Sequence, residues 1–349
     1  MKRDEEQGRP LTYAGSGVNV ELGEIVVANL RDALRSTWND RIIPEVAGFK
    51  AVFDDGEYYM IGATDGVGTK LLVGIMAERI DTVGQDLAAM VLNDVVRVGA
   101  LPLFFLDYMA TGKLDADSHL KIVSGIAAGC RKAGVPLLGG ETAELPGMYK
   151  AGDFDLAGFA IGRIRKDKII DGKKIKKGAT VLGLESSGLH SNGYSLARKV
   201  FFEVQKLEIH DYVPELGQHV SEVLLEPTKI YVKTILDLVN SFPDQIQGMA
   251  HITGGGMTNK LPKALPEGLG ALIEHGSWPI HPIFSYIQQK GPVALEEMRK
   301  TFNMGIGMVL VVNDSGAVPD LQAKLLEMHN LKSYQIGKVV EGKGVNYIM

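Results

Sequence analysis

Glycine-rich polar clusters close one apolar run after another along this chain, and that recurrence narrows the folds open to it. Gly66 and Gly68 follow Tyr58–Ala63, Gly139 and Gly140 follow Val135–Leu138, and Gly254, Gly255 and Gly256 follow the run that begins at Ile246. Glycine lets backbone approach a ligand closely and expose its N–H groups. Much of the chain's 42 glycines sits this way, which suggests backbone-lined ligand sites more than flexible linkers. Strand patterns fall at Phe49–Phe53, Tyr58–Ala63, Leu101–Met109 and Phe154–Ile164, and helical spacing at Asp81–Val98 and Asp115–Ala133. Farther on, Ala179–Leu184, Ile246–Thr253, Leu269–Glu274 and Gly305–Val312 read as strands; Gly193–Val204, Thr228–Val239 and Pro319–His329 read as helices. The mixture has no strict βαβ rhythm, so α+β domains are expected rather than a doubly wound sheet. Arg165–Gly178, with seven lysines or arginines and little apolar content, is the expected boundary between domains 1–165 and 178–349; a solvated hairpin is the alternative.

A net charge of −5 argues against a broad nucleic-acid-binding face while leaving room for a local basic pocket. The lone Cys130 excludes an intrachain disulfide. It shares an apolar stripe with Val123, Ile126 and Ala127, as a core thiol would. The polar start, up to about Gly8, is no signal peptide, and no apolar run is long enough for a bilayer. A cytoplasmic protein without membrane or nucleic-acid partners is expected.

Thr64-Asp65-Gly66-Val67-Gly68-Thr69-Lys70 offers hard oxygens for Mg²⁺, an ammonium for phosphate and two glycines. It is not a Walker A loop, because Lys70 follows Thr69 instead of preceding it. A nucleotide site and a plain turn both suit it. Asp94 falls within the Leu87/Val91/Val98 stripe and needs a partner if buried, whether a lysine, an arginine or a metal. Asn93 beside it points elsewhere on an ideal helix. Gly139-Gly140-Glu141-Thr142-Ala143-Glu144 fits either a metal–phosphate or ribose site or a tight turn with exposed acids. Ser186–Gly193 links a strand to a helix whose first N–H groups could hold an anion, or whose Ser191 or Asn192 is simply an N-cap. His190 has the titration range for proton transfer, and a structural histidine is the alternative. His251-Ile252-Thr253-Gly254-Gly255-Gly256 ends a strand and leads into Asn259-Lys260, and its three glycines mark a strained turn or a close approach to ligand. Two such patches, one per domain, imply two ligands brought together.

Thr64–Lys70, Leu92-Asn93-Asp94, Phe104–Tyr108, Ala110–Leu114, Gly139–Tyr149, Gly188–Leu196, Glu226–Lys233 and Thr253–Gly256 together resemble the phosphoribosylformylglycinamidine cyclo-ligase (aminoimidazole ribonucleotide, AIR, synthetase) family. The similarity runs from about Tyr13 to Gly342. One departure is near the start: the family's Tyr-x-x-Ala-Gly-Val-Asp becomes Ser16-Gly17-Val18-Asn19 after Tyr13, losing a charge but keeping hydrogen-bonding capacity. The resemblance implies a two-domain fold shared with selenophosphate synthetase, thiamine-monophosphate kinase and a hydrogenase-maturation protein. It also implies a homodimer whose first domains join into a shared β-barrel with ATP near the interface, and a C-terminal α/β domain.

The implied reaction is ATP-driven ring closure of formylglycinamidine ribonucleotide to AIR, ADP and phosphate, a C–N bond-forming ligation of purine biosynthesis. The implied Mg²⁺ ligands are Asp65, Asp94 and Glu141, with Asn93 a fourth candidate; a K⁺ requirement is left open. Gly66, Gly68, Thr69 and Lys70 would contact phosphates, and Gly139, Gly140, Thr142 and Glu144 would line the nucleotide–substrate cleft. His190, Ser191, Asn192 and Gly193 would face the substrate, as would Thr253, Gly254, Gly255 and Gly256. Lys70 and His190 are the expected catalytic pair, His190 as general base. The rivals are a selenophosphate synthetase, which needs a reactive cysteine near the start, a thiamine-monophosphate kinase, and a non-catalytic nucleotide-binding regulator.

Overall fold

The structure is a computed structural model that describes residues 10–46, 48 and 51–348. The polar start and Phe49 lie outside the described residues. The first half builds a six-stranded sheet from β1 (Ile42–Ile43), β2 (Val52–Asp55), β3 (Tyr58–Gly66), β4 (Leu101–Thr111), β5 (Leu137–Glu144) and β6 (Phe154–Arg165). Its order is β1-β2-β3-β6-β4-β5, antiparallel except for the parallel β4–β5 edge pair. Among the described residues, five α-helices belong to this half: α1 (Val20–Asn29), α2 (Arg31–Arg35), α3 (Lys70–Met76), α4 (Asp81–Val96) and α5 (Ala116–Ala133).

After the basic segment the second half carries β7 (Thr180–Glu185), β8 (Tyr212–Val213), β9 (Gln218–His219), β10 (Ile246–His251), β11 (Leu269–Glu274), β12 (Ile306–Val312), β13 (Ser333–Glu341) and β14 (Val345–Ile348). Six of these form a mixed sheet in the order β10-β12-β7-β13-β11-β14, with β8–β9 a separate hairpin. Its helices are α6 (Tyr194–Arg198), α7 (Val220–Leu225), α8 (Val232–Ser241), α9 (Gly256–Lys260), α10 (Pro282–Lys290), α11 (Leu295–Thr301) and α12 (Val318–His329). The α+β reading holds, and among the described residues no helix is long and apolar enough to cross a membrane.

Helix α4 is buried on nearly every side because it lies between the first sheet, α5 and the second half. Gly84 and Gly125 let α4 and α5 approach to backbone contact. A Cβ on Gly84 would stand 2.4 Å from the Ile126 nitrogen, and one on Gly125 2.0 Å from the Asp81 carbonyl oxygen. Asp115 caps α5 by accepting from the Ser118 N–H at 2.8 Å, and Gly134 ends it at φ 77°. One apolar cluster runs from Leu87, Val91 and Val95 of α4 into Tyr231, Ile235 and Leu310 of the second half, so the halves share a core.

Two departures bear on the site. Gly139 and Gly140 do not end β5: the strand continues to Glu144, paired with β4 as far as Thr111. That cluster is edge strand, neither turn nor loop. The helix expected over Gly193–Val204 is the single α-turn of α6 followed by a π-helical segment from Lys199.

Candidate active site

One cavity of about 490 Å³ lies between the halves. Asp65, Gly66, Val67, Gly68 and Thr69 line it from the end of β3, and Ser191, Asn192, Tyr194 and Ser195 line it from the β7–α6 connection. Tyr13, Val18 and Met90 also line it, as do Asp155, Leu156 and Ala157 at the start of β6. Thr69 Oγ1 and Ser195 Oγ stand 3.3 Å apart across the gap. Gly68 has φ 76°, a conformation glycine adopts without strain, and it turns the chain from β3 into α3.

Asp65 opens toward solvent and accepts the Gly66 N–H at 2.8 Å. Desolvation raises its pKa, and the nearby Asp94 charge pushes it the same way. Asp94, half-buried on α4, is bound by His251 Nδ1 at 2.9 Å, with Arg97 Nε at 3.8 Å. Burial opposes its charge, but His251, Arg97 and Lys260 outweigh that and hold its pKa below the ordinary carboxylate value. The partner that Asp94 required is thus an imidazole from the second half. Two carboxylates within electrostatic reach of each other beside a glycine turn match Mg²⁺, which takes one or two carboxylates along with substrate phosphates.

Several expected residues lie elsewhere. Lys70 does not reach the cavity. Its ammonium is fully buried, bound to Asp86 at 2.8 Å and to the carbonyls of Glu226 at 2.7 Å and His190 at 3.1 Å, so its three donors are consumed. The half-buried Lys260 acts electrostatically on both Asp65 and Asp94, as does His251. Asn93 is no metal ligand here: it donates to the Lys229 carbonyl at 2.9 Å and accepts the Tyr231 N–H at 2.8 Å, fully buried.

Glu141 lies on the other face of the sheet. It registers with Tyr108, then Ala157, then Gly66. Asp65 belongs to the alternate row through Gly158, whose added Cβ would strike Phe105, Val91 and Leu87 on the helix side. Three strand spacings, roughly 14 Å, separate β5 from β3. Gly139, Gly140, Thr142 and Glu144 share that distant edge, where Glu144 accepts the Leu114 N–H at 2.8 Å.

His190 fails as a base for three reasons. It is buried, its Nε2 accepts the Ser187 N–H at 3.2 Å, and its Nδ1 is enclosed without a partner. Burial, then the charges of His251, Lys70 and Lys229, lower its pKa well below the ordinary value, which leaves it neutral. Gly193 caps α6 at φ 80° against the Phe302 ring. Of the glycine triplet, Gly254 approaches Asn192, while Gly255 (φ 96°) caps α9 and Gly256 packs on the Arg299 carbonyl; Thr253 is buried.

Sequence reading missed the roles of Asp86 and Thr228, and it placed His251 and Lys260 in a cluster without pairing them with Asp94. The signal for Asp86 was present: a carboxylate between Val83 and Leu87 on a helix without a polar face. Asn19 Oδ1 caps α1 through the Leu22 N–H at 2.9 Å, a role aspartate fills equally well, so the motif departure is conservative.

A family model described as AIR synthase related protein, N-terminal domain, matches residues 48–164, and its C-terminal counterpart matches 176–349. A phosphoribosylformylglycinamidine cyclo-ligase from Thermoanaerobacter pseudethanolicus is 47% identical over 96% of this chain and 99% of its own. One from Bacillus pumilus is 45% identical over 96% and 97%.

The chain belongs to the AIR synthase family.

Its fold extends further than its sequence. AaThiL complexed with AMPPCP and TMP superposes with a TM-score of 0.63 at 17% identity, covering 95% of this chain and 94% of that one. The HypE-HypF complex gives 0.63 at 15% identity over 91% and 95%. At such identities the likeness concerns fold alone.

Proposed function

We propose that this chain is the ATP-dependent cyclo-ligase that closes formylglycinamidine ribonucleotide to 5-aminoimidazole ribonucleotide, releasing ADP and phosphate, in the cytoplasmic route to purines. The observation that carries the site assignment is the cavity in which Asp65–Thr69 of one half face Ser191, Asn192, Tyr194 and Ser195 of the other. Residues 1–165 supply the nucleotide side and 178–349 the substrate side.

An amide oxygen is a poor leaving group. Transfer of the γ-phosphoryl to the formamide oxygen makes it phosphate; the amidine nitrogen attacks the same carbon, the C–O bond breaks, and the imidazole closes. Phosphoryl transfer depends on positioning and charge neutralisation. Asp65 and Asp94 would hold Mg²⁺, which neutralises phosphate charge. The N–H groups around Gly66, Gly68 and Thr69 orient the phosphates, with Lys260 as a nearby cation. Ser191 and Asn192 orient the ribonucleotide. His190 is buried away from the cavity, so in this reading ring closure rests on alignment of the amidine and the activated carbon rather than on His190 as base.

The outer face of the first sheet supports the homodimer. Tyr108, Leu138 and Phe159 are exposed there, an apolar surface unlike that of a solvated sheet. Pairing two such faces would form the shared barrel, and β5, with Gly139, Gly140, Glu141, Thr142 and Glu144, would then belong to the subunit interface near the nucleotide.

Incubation with ATP, Mg²⁺ and formylglycinamidine ribonucleotide tests the reading. AIR and ADP formed one to one are expected; thiamine-monophosphate phosphorylation, or nucleotide binding without turnover, would refute it.

A further inference from the structure

Lys70 closes the Thr64–Lys70 loop, yet its ammonium points away from the cavity into the junction of three segments. It binds Asp86 of α4, the Glu226 carbonyl and the His190 carbonyl, all fully or partly enclosed. His190 is one of the few non-glycine residues with positive φ, at 63°. A strained backbone persists only where its surroundings over-determine it, and here the Lys70 contact holds the strained residue's carbonyl. Asp86 reaches the next residue by a second route. Its Oδ1 accepts the Thr228 N–H at 2.7 Å and the Thr228 hydroxyl at 2.6 Å, and the Thr228 hydroxyl in turn accepts from Ser191 Oγ at 2.9 Å. Asn192 extends its amide toward Met90 of α4, 3.8 Å from the sulfur.

We infer that Lys70, Asp86 and Thr228 are positioning residues that lock the His190–Asn192 turn onto the Asp65–Thr69 loop, so that the two walls of the cavity open and close as one unit. A buried ion pair is weak evidence for stability in itself, because apolar residues of similar volume often serve equally well. What this pair supplies is register. Each of the three ammonium donors is directed to a different segment, and both carbonyl acceptors come from the second half. Ser191, which lines the cavity, is aimed through Thr228 by a carboxylate that never touches the cavity. The inference uses the cyclo-ligase reading only to choose the substrate for the kinetic test.

Native-state hydrogen exchange on the unaltered protein is the first test. The amides of Val67–Leu71 and of Leu189–Gly193 should share one opening reaction, with the same dependence on urea; exchange of the second segment a hundredfold faster than the first, with no urea dependence, would overturn the inference. Variants provide the second test. Thr228→Val removes the hydroxyl relay while preserving shape and the N–H contact. It should raise KM for the ribonucleotide at least tenfold with kcat within threefold, and Thr228→Ser should restore it. Lys70→Met combined with Asp86→Asn leaves no lone charge behind and should speed exchange in Leu189–Gly193 at least tenfold. An unchanged KM in Thr228→Val, or a fall in kcat with KM constant, would contradict the relay. If AIR formation fails in the unaltered protein, the functional reading falls while the exchange result still decides this one.

Discussion

Replacing Asn93 by aspartate separates a clamp from a metal ligand, because the two roles predict opposite signs. Asn93→Asp is nearly isosteric. The oxygen that accepts the Tyr231 N–H at 2.8 Å is preserved, but the amide that donates to the Lys229 carbonyl at 2.9 Å becomes a second acceptor facing a carbonyl oxygen. The site is fully buried, so neither oxygen can turn to water. Leaving a buried charge uncompensated costs about 3–5 kcal/mol. Because the core runs through both halves, the loss should register in global unfolding. With an unfolding entropy of roughly 2 cal/mol/K per residue, Tm should fall by about 4–7 °C. Calorimetry at pH 7 and pH 5 is the assay. The deficit should shrink at the lower pH, where a protonated carboxyl regains a donor for Lys229. Half-saturation by Mg²⁺ in the activity assay should be unchanged. A variant as stable as the parent, with tighter Mg²⁺ dependence, would refute the clamp and return Asn93 to the metal.

Three further outcomes follow from the same geometry. His190 stays neutral when folded but takes a proton near pH 6.5 when unfolded; its contribution is therefore complete above pH 6.5 and lost below it, and His190→Asn should flatten the fall in urea midpoint between pH 6.5 and 5. The Cys130 thiol, pushed up to about 12 by burial and by the Asp107 charge, should resist iodoacetamide at pH 8 until the protein is unfolded, as mass spectrometry would show. Phe159→Glu on the outer sheet face should give a monomer in sedimentation and weaken ATP binding at least tenfold; a dimer that still binds ATP would place the interface elsewhere.

Periodicity made the central elements legible. The α4 stripe foretold that Asp94 would need a partner, although the side chain is half-buried rather than fully so; the Cys130 stripe foretold a core thiol, and strand patterns located β3, β4, β6 and β12. Direction was harder to read. In the Thr64–Lys70 loop, composition shows an ammonium next to a phosphate-binding turn, but the first turn of α3 carries Lys70 inward to Asp86, sixteen residues away. Gly139 and Gly140 resemble a turn because glycine disfavours strands; pairing with β4 overrides that preference and carries the cluster to the far edge. His251 and Lys260 flank the glycine triplet and so fall within a cluster legible in the sequence, but nothing local marks them as partners of Asp94, because the His251 hydrogen bond and the Lys260 charge act on α4 across the halves. His190 looked catalytic through its neighbours, yet its own ring turns into the core.

The most direct measurement is isotopic. Formylglycinamidine ribonucleotide labelled with ¹⁸O in the formyl group should, on turnover with ATP and Mg²⁺, deliver one labelled oxygen to each inorganic phosphate, seen as an isotope shift in ³¹P NMR, and Asp65→Asn should abolish both label transfer and AIR. Label appearing in water while AIR still forms, or undiminished transfer by Asp65→Asn, would contradict activation of the amide oxygen at this cavity.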